Sequence, residues 1–411
     1  MSTPCIVPVV TLSNVREHPN ASLLGLADVL GYQMAIPLVE DANGNLVRKF
    51  VRGKLDEKGR RVPADAATPA DDTVEIRYSF RYKDGDVCVY FPADTLIPAE
   101  WADKFGVRQL LKGKEQNRVG KIKLRGEPSF GLVVDIPPER ADWKVGDNVA
   151  DYYGCRKYEP PIRVGCGDAA PYDTEIDPFF DKFTDVQNGR IETGVFQDGE
   201  EVIYTEKLHG SNCRLAMIRG VAVAGSMEIR RKRPVRKASD GQETTSSFED
   251  EEMKRSTYWF PWTLLGVRRL LESSHPAEYS ADPQNMNTIL YGEVYGGSIQ
   301  SLDYGIPKGK GLGFRAFGLR VNGKFLDWDD FVRICGRYGV ETVPVFWRGP
   351  FSMAKAKELA DGKAAMAGHL REGTVVYPVK ERDNPKVGRA ILKFVGTEYD
   401  LMTGKTDFKD V

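Results

Sequence analysis

A lysine held rigidly at a strand end is a candidate nucleophile, and Lys207 has such a setting. Glu201-Val202-Ile203-Tyr204-Thr205-Glu206 alternates apolar and polar residues as a strand does, and Cys213, Leu215 and Met217 alternate again beyond it. Lys207 therefore falls at a tight turn between two strands, with Gly210 supplying the unusual backbone that the turn requires. A lysine attacks phosphorus only as the neutral amine. Its reference pKa is about 10.4, so the site must favour proton loss through desolvation or nearby cations. A solvated lysine beside a turn fits the same eight residues, so further residues have to carry the argument.

Four later segments supply them. Tyr291-Gly292-Glu293-Val294-Tyr295-Gly296-Gly297 places a carboxylate between glycines, after the apolar pair Ile289-Leu290, as suits a strand end opening on a cleft. Phe314-Arg315-Ala316-Phe317-Gly318-Leu319 sets two aromatics three apart. Glu372 immediately precedes the strand-like run Gly373-Thr374-Val375-Val376-Tyr377. In Arg389-Ala390-Ile391-Leu392-Lys393-Phe394, a strand would put Arg389, Ile391 and Lys393 on one face. Each segment taken singly fits a structural role. The order is what points to chemistry: nucleophile, acid, aromatic, acid and base at Lys207, Glu293, Phe314, Glu372 and Lys393.

These residues need a scaffold. Residues 1–155 read as mostly β, with strands over Thr73–Tyr78, Val87–Phe91, Lys121–Leu124 and Gly131–Ile136 and one helix near Ala99–Phe105. Many short strands in so few residues suggest a small barrel or sandwich. Residues 156–175 are rich in Pro, Gly and Asp and read as a linker. Residues 176–411 mix strands with helical stretches at Trp262–Leu271 and Ser352–Leu370, and the polar segment Ala238–Asp250 reads as a mobile loop. The fold class is α+β.

The bulk numbers narrow the partners. The chain has 411 residues, 41% hydrophobic and 28% charged, which suits a globular protein that needs no disulfide or metal staple. A net charge of −1 makes any basic surface local. Two such surfaces are visible. Arg230 to Lys237 holds six cations in eight residues, and Arg108 to Arg125 holds seven basic residues against the single acid Glu115. Either suits phosphate contacts or a solvated charge cluster. Six cysteines without a CxxC pair, and four scattered histidines, argue against structural zinc and for free thiols in a reducing cytoplasm. The N-terminus lacks the pattern of a signal peptide, and no apolar run is long enough to span a membrane.

The order of motifs, and the words around them, resemble the covalent nucleotidyltransferase superfamily of ATP-dependent DNA and RNA ligases and mRNA capping enzymes. Thr205-Glu206-Lys207-Leu208-His209-Gly210-Ser211-Asn212 is similar to the RNA-ligase-2-type branch, where histidine often replaces an aspartate two residues past the lysine. HPNASLLGLADVLGYQ, DGDVCVYFPADTLIP and KIKLRGEPSFGLVV resemble the appended OB domain of the Deinococcus and Naegleria RNA ligases, the fifth RNA ligase family. The resemblance implies an N-terminal OB-like barrel, then a nucleotidyltransferase domain of antiparallel sheets with flanking helices.

It also implies roles. Lys207 would carry AMP, with Glu206 beside the adenine and Asn212 near the ribose or phosphates. Glu293 and Glu372 would hold the ribose or hydrated metal ions. Phe314 would stack on the adenine, with Phe317 the alternative, and Lys393 would contact the α-phosphate. From the basic run, Arg231 and Arg233 are the arginines expected at a sugar or phosphate. One departure stands out: the family's last motif has two lysines two apart, whereas Ile391 precedes Lys393 here, leaving Arg389 to reach the phosphates. Arginine is not an equivalent, because it does not give up a proton. The implied cofactors are ATP and Mg²⁺ or Mn²⁺. The implied partner is RNA or an RNA-containing nicked duplex, with no obligate protein partner. A capping-type guanylyltransferase using GTP, and an inactive RNA-binding relative, are the competing readings.

Overall fold

The structure is a computed structural model that describes residues 5–21, 24–37, 50–55, 61–63, 74–77, 81–158, 172–173, 180–218, 220–227, 229–237, 242–273 and 287–402. The chain divides into two compact units, Met1–Pro161 and Ile162–Asp407. Most of the expected linker, and residues 238–241 of the expected loop, lie outside the described residues.

The first unit is built from short antiparallel strands. Val87–Phe91 is central, with Val9–Thr11 on one side and Leu132–Asp135 on the other. Ser13–Glu17, Leu24–Val29 and Tyr32–Pro37 form a second three-stranded sheet. Lys121–Leu124 and Glu127–Phe130 form a hairpin whose two turn residues, Arg125 and Gly126, have φ of 49° and 92°. Positive φ at both positions marks the turn that matches strand twist. The helix is Ala99–Lys104. Among the described residues these sheets remain separate, so the expected closed barrel does not appear. A core of Val7, Val9, Val89, Phe91, Ile97, Ala102, Val119 and Tyr153 joins the Val87–Phe91 sheet to the helix.

The second unit holds two larger sheets. One has seven strands in the order Tyr172–Asp173, Arg230–Arg231, Val221–Gly225, Ser211–Ile218, Thr288–Tyr295, Gly313–Val321 and Lys324–Phe325, all antiparallel. The other has five, in the order Gln187–Asn188, Leu392–Val395, Gly373–Pro378, Glu201–Lys207 and Val345–Pro350. Only its first pair is parallel. Ile203 and Tyr377 of the five-stranded sheet, with Ile391 just before its Leu392–Val395 strand, share one apolar core with Leu215, Leu290 and Leu319 of the seven-stranded sheet.

Two helices cover that core with helically spaced residues. Leu265–Glu272 buries Val267, Leu270 and Leu271, and Trp328–Tyr338 buries Trp328, Phe331, Ile334 and Cys335. Gly339 ends the second helix in the left-handed conformation, with φ of 70°. No helix among the described residues is long and apolar enough to cross a membrane.

Several expected elements take a different form. The Glu201–Lys207 and Ser211–Ile218 strands are not partners. They belong to different sheets, and Leu208-His209-Gly210 carries the chain across. The helix expected over Ser352–Leu370 stops at Ala360, ahead of Gly362 with φ of 112°. Trp262 lies in a 3₁₀ turn, Phe260–Thr263, before the α-helix begins. Within the expected loop, Glu243–Thr245 is a strand paired with Val235–Lys237. Arg389 and Lys393 lie on separate strands, Gly388–Arg389 and Leu392–Val395.

Candidate active site

Lys207 is the last residue of its strand, and its backbone partner is Gly373. Two rows back, Thr205, Val375 and Lys393 are neighbours. Residues two apart along a strand share a face, so Lys207 and Lys393 project the same way. Both line a cavity of about 240 Å³.

The opposite wall comes from the seven-stranded sheet. Asn212 and Glu293 are backbone partners there, and both side chains line the cavity. The crossover must pass close beneath this sheet. A Cβ on Gly210 would collide with the Val294 carbonyl and lie 2.9 Å from Glu293 Cγ. Gly210 thus serves by close approach, and it is absent from the glycines with positive φ.

The aromatic wall is Phe317 and not Phe314. Glu293 pairs with Arg315, so residues 315 and 317 share the Glu293 face while 314 and 316 point into the core. A register shift between Tyr291 and Gly292 leaves Phe317 as the extra residue. Phe317 lines the cavity and meets Phe183 edge-on with ring centroids 4.7 Å apart. Phe314 is 4% exposed and fills the space above Gly292, where a Cβ would strike its ring.

Glu206 has both a held and an open oxygen. Its Oε2 accepts from the Ala365 amide at 2.9 Å, while Oε1 is buried in the cavity wall without a hydrogen-bond partner among the described residues. Burial pushes its pKa up, against the lowering effects of the Ala365 hydrogen bond and Arg371. Asn212 Oδ1 is a second buried acceptor without a partner among the described residues. Buried polar atoms of this kind call for an explanation, and a bound group that donates hydrogen bonds is one.

Glu372 lies against Lys207 and is not among the residues lining the cavity. It is 2% exposed, its Oε1 accepts from Lys207 Nζ, and its Oε2 is 3.4 Å from His209 Nδ1.

Three expected arginines are occupied elsewhere. Arg231 stacks over Tyr258 at 4.7 Å and Arg233 over Phe248 at 4.2 Å, and neither lines the cavity. Arg389 is paired with Glu381 and lies 3.7 Å over Phe325. It does not replace a lysine at position 391, where Ile391 is fully buried. Sequence reasoning missed the segment Phe183-Thr184-Asp185-Val186, which forms part of the cavity wall. Its residues show no periodicity and no motif that would have marked them.

Comparison with known proteins agrees with this arrangement. Residues 200–395 match the RNA ligase family model. Among solved structures, a mutant of Naegleria gruberi RNA ligase with ATP and Mn is similar over 96% of this chain and 98% of its own, with 18% identity and a TM-score of 0.61. The same enzyme with pyrophosphate gives 19% identity, 97% and 98% coverage and a TM-score of 0.59. A further mutant with AMP and Mn gives 18% identity, 96% and 98% coverage and a TM-score of 0.60. A search of curated proteins finds no match. The structural likenesses establish the fold over nearly the whole chain, and the family match covers the sheets that frame the cavity. Over residues 200–395, a little under half of the chain, the sequence is thus similar to the RNA ligase family.

Proposed function

We propose that this chain is an ATP-dependent RNA ligase that joins a 3′-OH to a 5′-phosphate through a lysyl-AMP intermediate on Lys207. The observation that carries the reading is the meeting of Lys207, Glu206, Asn212, Glu293, Phe317 and Lys393 around one cavity, although they come from two sheets. Naegleria gruberi RNA ligase, which shares the fold, is found with ATP, AMP, pyrophosphate and Mn.

The chemistry follows in three phosphoryl transfers. Neutral Lys207 Nζ bonds to the α-phosphorus, and the bond to pyrophosphate breaks. A 5′-phosphate oxygen then bonds to that phosphorus, and the P–N bond breaks as the amine regains its proton. Last, a 3′-OH bonds to the activated 5′-phosphorus, loses its proton, and AMP departs. Alignment and charge stabilisation supply most of the catalysis in such steps. Phe317 would take the adenine face, Glu206 Oε1 would accept from the exocyclic amine, and Asn212 would bind the ribose. Lys393 would neutralise the α-phosphate.

Among the described residues no group of three or more His, Cys, Asp or Glu side chains could hold a metal ion on its own. Glu293, which lines the cavity, would hold a hydrated Mg²⁺ or Mn²⁺ through its waters, whereas Glu372, buried against Lys207 and His209 and outside the cavity lining, is not placed to share it. When bound, that ion supplies positive charge beside the phosphates.

The unit Met1–Pro161 would grip nucleic acid as an OB-like module. Two cations of its basic strip are committed elsewhere: Arg118 is 6% exposed and stacks over Tyr158 at 4.2 Å, and Arg108 pairs with Asp103 at 2.7 Å. Of the other cations in the strip, Lys114, Lys123 and Arg125 are exposed and would face phosphates. RNA or a nicked duplex containing RNA is the substrate class.

Intact-mass measurement after incubation with ATP and Mg²⁺ tests the reading. The wild type should gain one AMP and Lys207→Ala none. A Lys207→Ala protein that still gains AMP refutes the assignment, and labelling from GTP in place of ATP would turn the reading to a guanylyltransferase.

A further inference from the structure

We infer that Tyr399 and Ser301 are positioning residues: they lock the His209 imidazole in one orientation against Glu372, and through it set the place of Lys207. The inference rests on the proposed adenylation of Lys207.

His209 is 4% exposed, two residues past the nucleophile, in the crossover between the sheets. Each ring nitrogen faces a hydroxyl. Nδ1 is 3.2 Å from the Tyr399 oxygen and 3.4 Å from Glu372 Oε2, and Nε2 is 3.4 Å from Ser301 Oγ. The Tyr399 ring meets the imidazole edge-on at 5.7 Å, and the His209 amide donates to the Tyr304 hydroxyl at 2.8 Å. Both the ring and the backbone of His209 are therefore tethered.

The partners select a tautomer. A carboxylate only accepts, so the nitrogen beside Glu372 is better protonated than bare. With the proton on Nδ1, the Tyr399 oxygen shares it as a second acceptor. Nε2 then accepts from the Ser301 hydroxyl, which has a proton to give. Ring orientation set by the other nitrogen's partner is a general property of working histidines. The consequence passes to the nucleophile, because the same Glu372 holds Lys207 Nζ through its other oxygen.

The source of Tyr399 matters. It belongs to the short helix Thr397–Leu401, which follows the strand of Lys393 after a single glycine, Gly396. The strand that brings the phosphate-binding lysine thus also delivers the hydroxyl that steadies His209. Ser301 comes from the segment after the Glu293 strand. Three stretches distant in sequence meet on one imidazole.

The test compares wild type, Tyr399→Phe, His209→Ala and the double variant in single-turnover adenylation across ATP concentrations. ¹⁵N signals of the imidazoles are recorded in parallel and assigned by their loss in His209→Ala. Tyr399→Phe should lower the saturated rate by about 10- to 100-fold, with the half-saturating ATP concentration unchanged. It should add nothing in the His209→Ala background, since it acts through that ring. The His209 nitrogen signals should report a protonated Nδ1 in wild type and shift in Tyr399→Phe. Full activity in Tyr399→Phe, an equal loss in both backgrounds, or unchanged nitrogen signals would each overturn the inference. A wild type that forms no lysyl adduct would instead sink the proposed function, and the nitrogen signals would still decide whether Tyr399 orients the ring.

Discussion

The sequence singles out Lys207, Glu293 and Lys393 by type and order, and Glu206 only through the family resemblance; the structure brings the four to one cavity. Which aromatic joins them was not legible, because Phe314 and Phe317 are three apart and only a strand register distinguishes their faces. That register contains a shift at Tyr291/Gly292, which no periodicity reveals. The two rings therefore separate in experiment. Phe314→Ala empties a core position and should destabilise the fold by about 3–5 kcal/mol, measured by chemical denaturation. Phe317→Ala should leave stability nearly unchanged and raise the ATP concentration needed for half-maximal adenylation several-fold. Glu206 gives a second residue-scale test. Burial raises its pKa, so the folded state holds this proton more tightly than the unfolded state. Its ionisation therefore costs stability, and the cost grows as pH rises from the ordinary carboxylate range through the raised value. Glu206→Gln should raise the melting temperature more in alkaline than in acidic buffer while weakening ATP binding. An equal change in both buffers would show that the buried charge is not the cause.

At the scale of elements, alternation identified the Glu201–Lys207 and Ser211–Ile218 strands but not their partners. A hairpin and a crossover between sheets look alike in a local pattern, since what separates them is pairing with strands more than seventy residues away. The difference is physical and sits at Gly210. A hairpin turn needs glycine for its dihedral angles, whereas this crossover needs it because the Val294 carbonyl occupies the Cβ position. Gly210→Ala should therefore destabilise by about 1–3 kcal/mol through overpacking. It should also slow adenylation, because Lys207 and His209 flank the shifted segment. Gly336 is the contrast. It lies inside the Trp328–Tyr338 helix with open space where a Cβ would go. Gly336→Ala should stabilise by about 1 kcal/mol, with adenylation unchanged. Denaturation midpoints of the two variants moving in opposite directions would distinguish close approach from backbone flexibility.

For the whole molecule, punctuation and pattern mark a change in the sequence from short β-elements to a mixed region, and the chain divides into two compact units, Met1–Pro161 and Ile162–Asp407. Closure of the first unit was not readable, because strand propensity does not say which edges pair. Its described sheets stay separate. Charge was only half readable. Seven basic residues cluster between Arg108 and Arg125, but burial removes Arg118 and a carboxylate engages Arg108. Net charge near zero makes the remainder matter, since no general cationic field can substitute for a local strip. Each unit has its own apolar core, so the two functions should separate. A chain lacking residues 1–161 should still gain AMP at Lys207 and should seal nicked duplexes poorly. In the full-length protein, Lys123→Ala with Arg125→Ala should leave adenylation unchanged and weaken duplex binding. The loss should shrink as salt rises, with the logarithmic salt slope falling by about 0.9 for each phosphate contact removed. Titrations at several salt concentrations measure this directly. An unchanged slope would mean that Lys123 and Arg125 do not touch phosphate, and the grip on nucleic acid would have to be sought elsewhere in the chain.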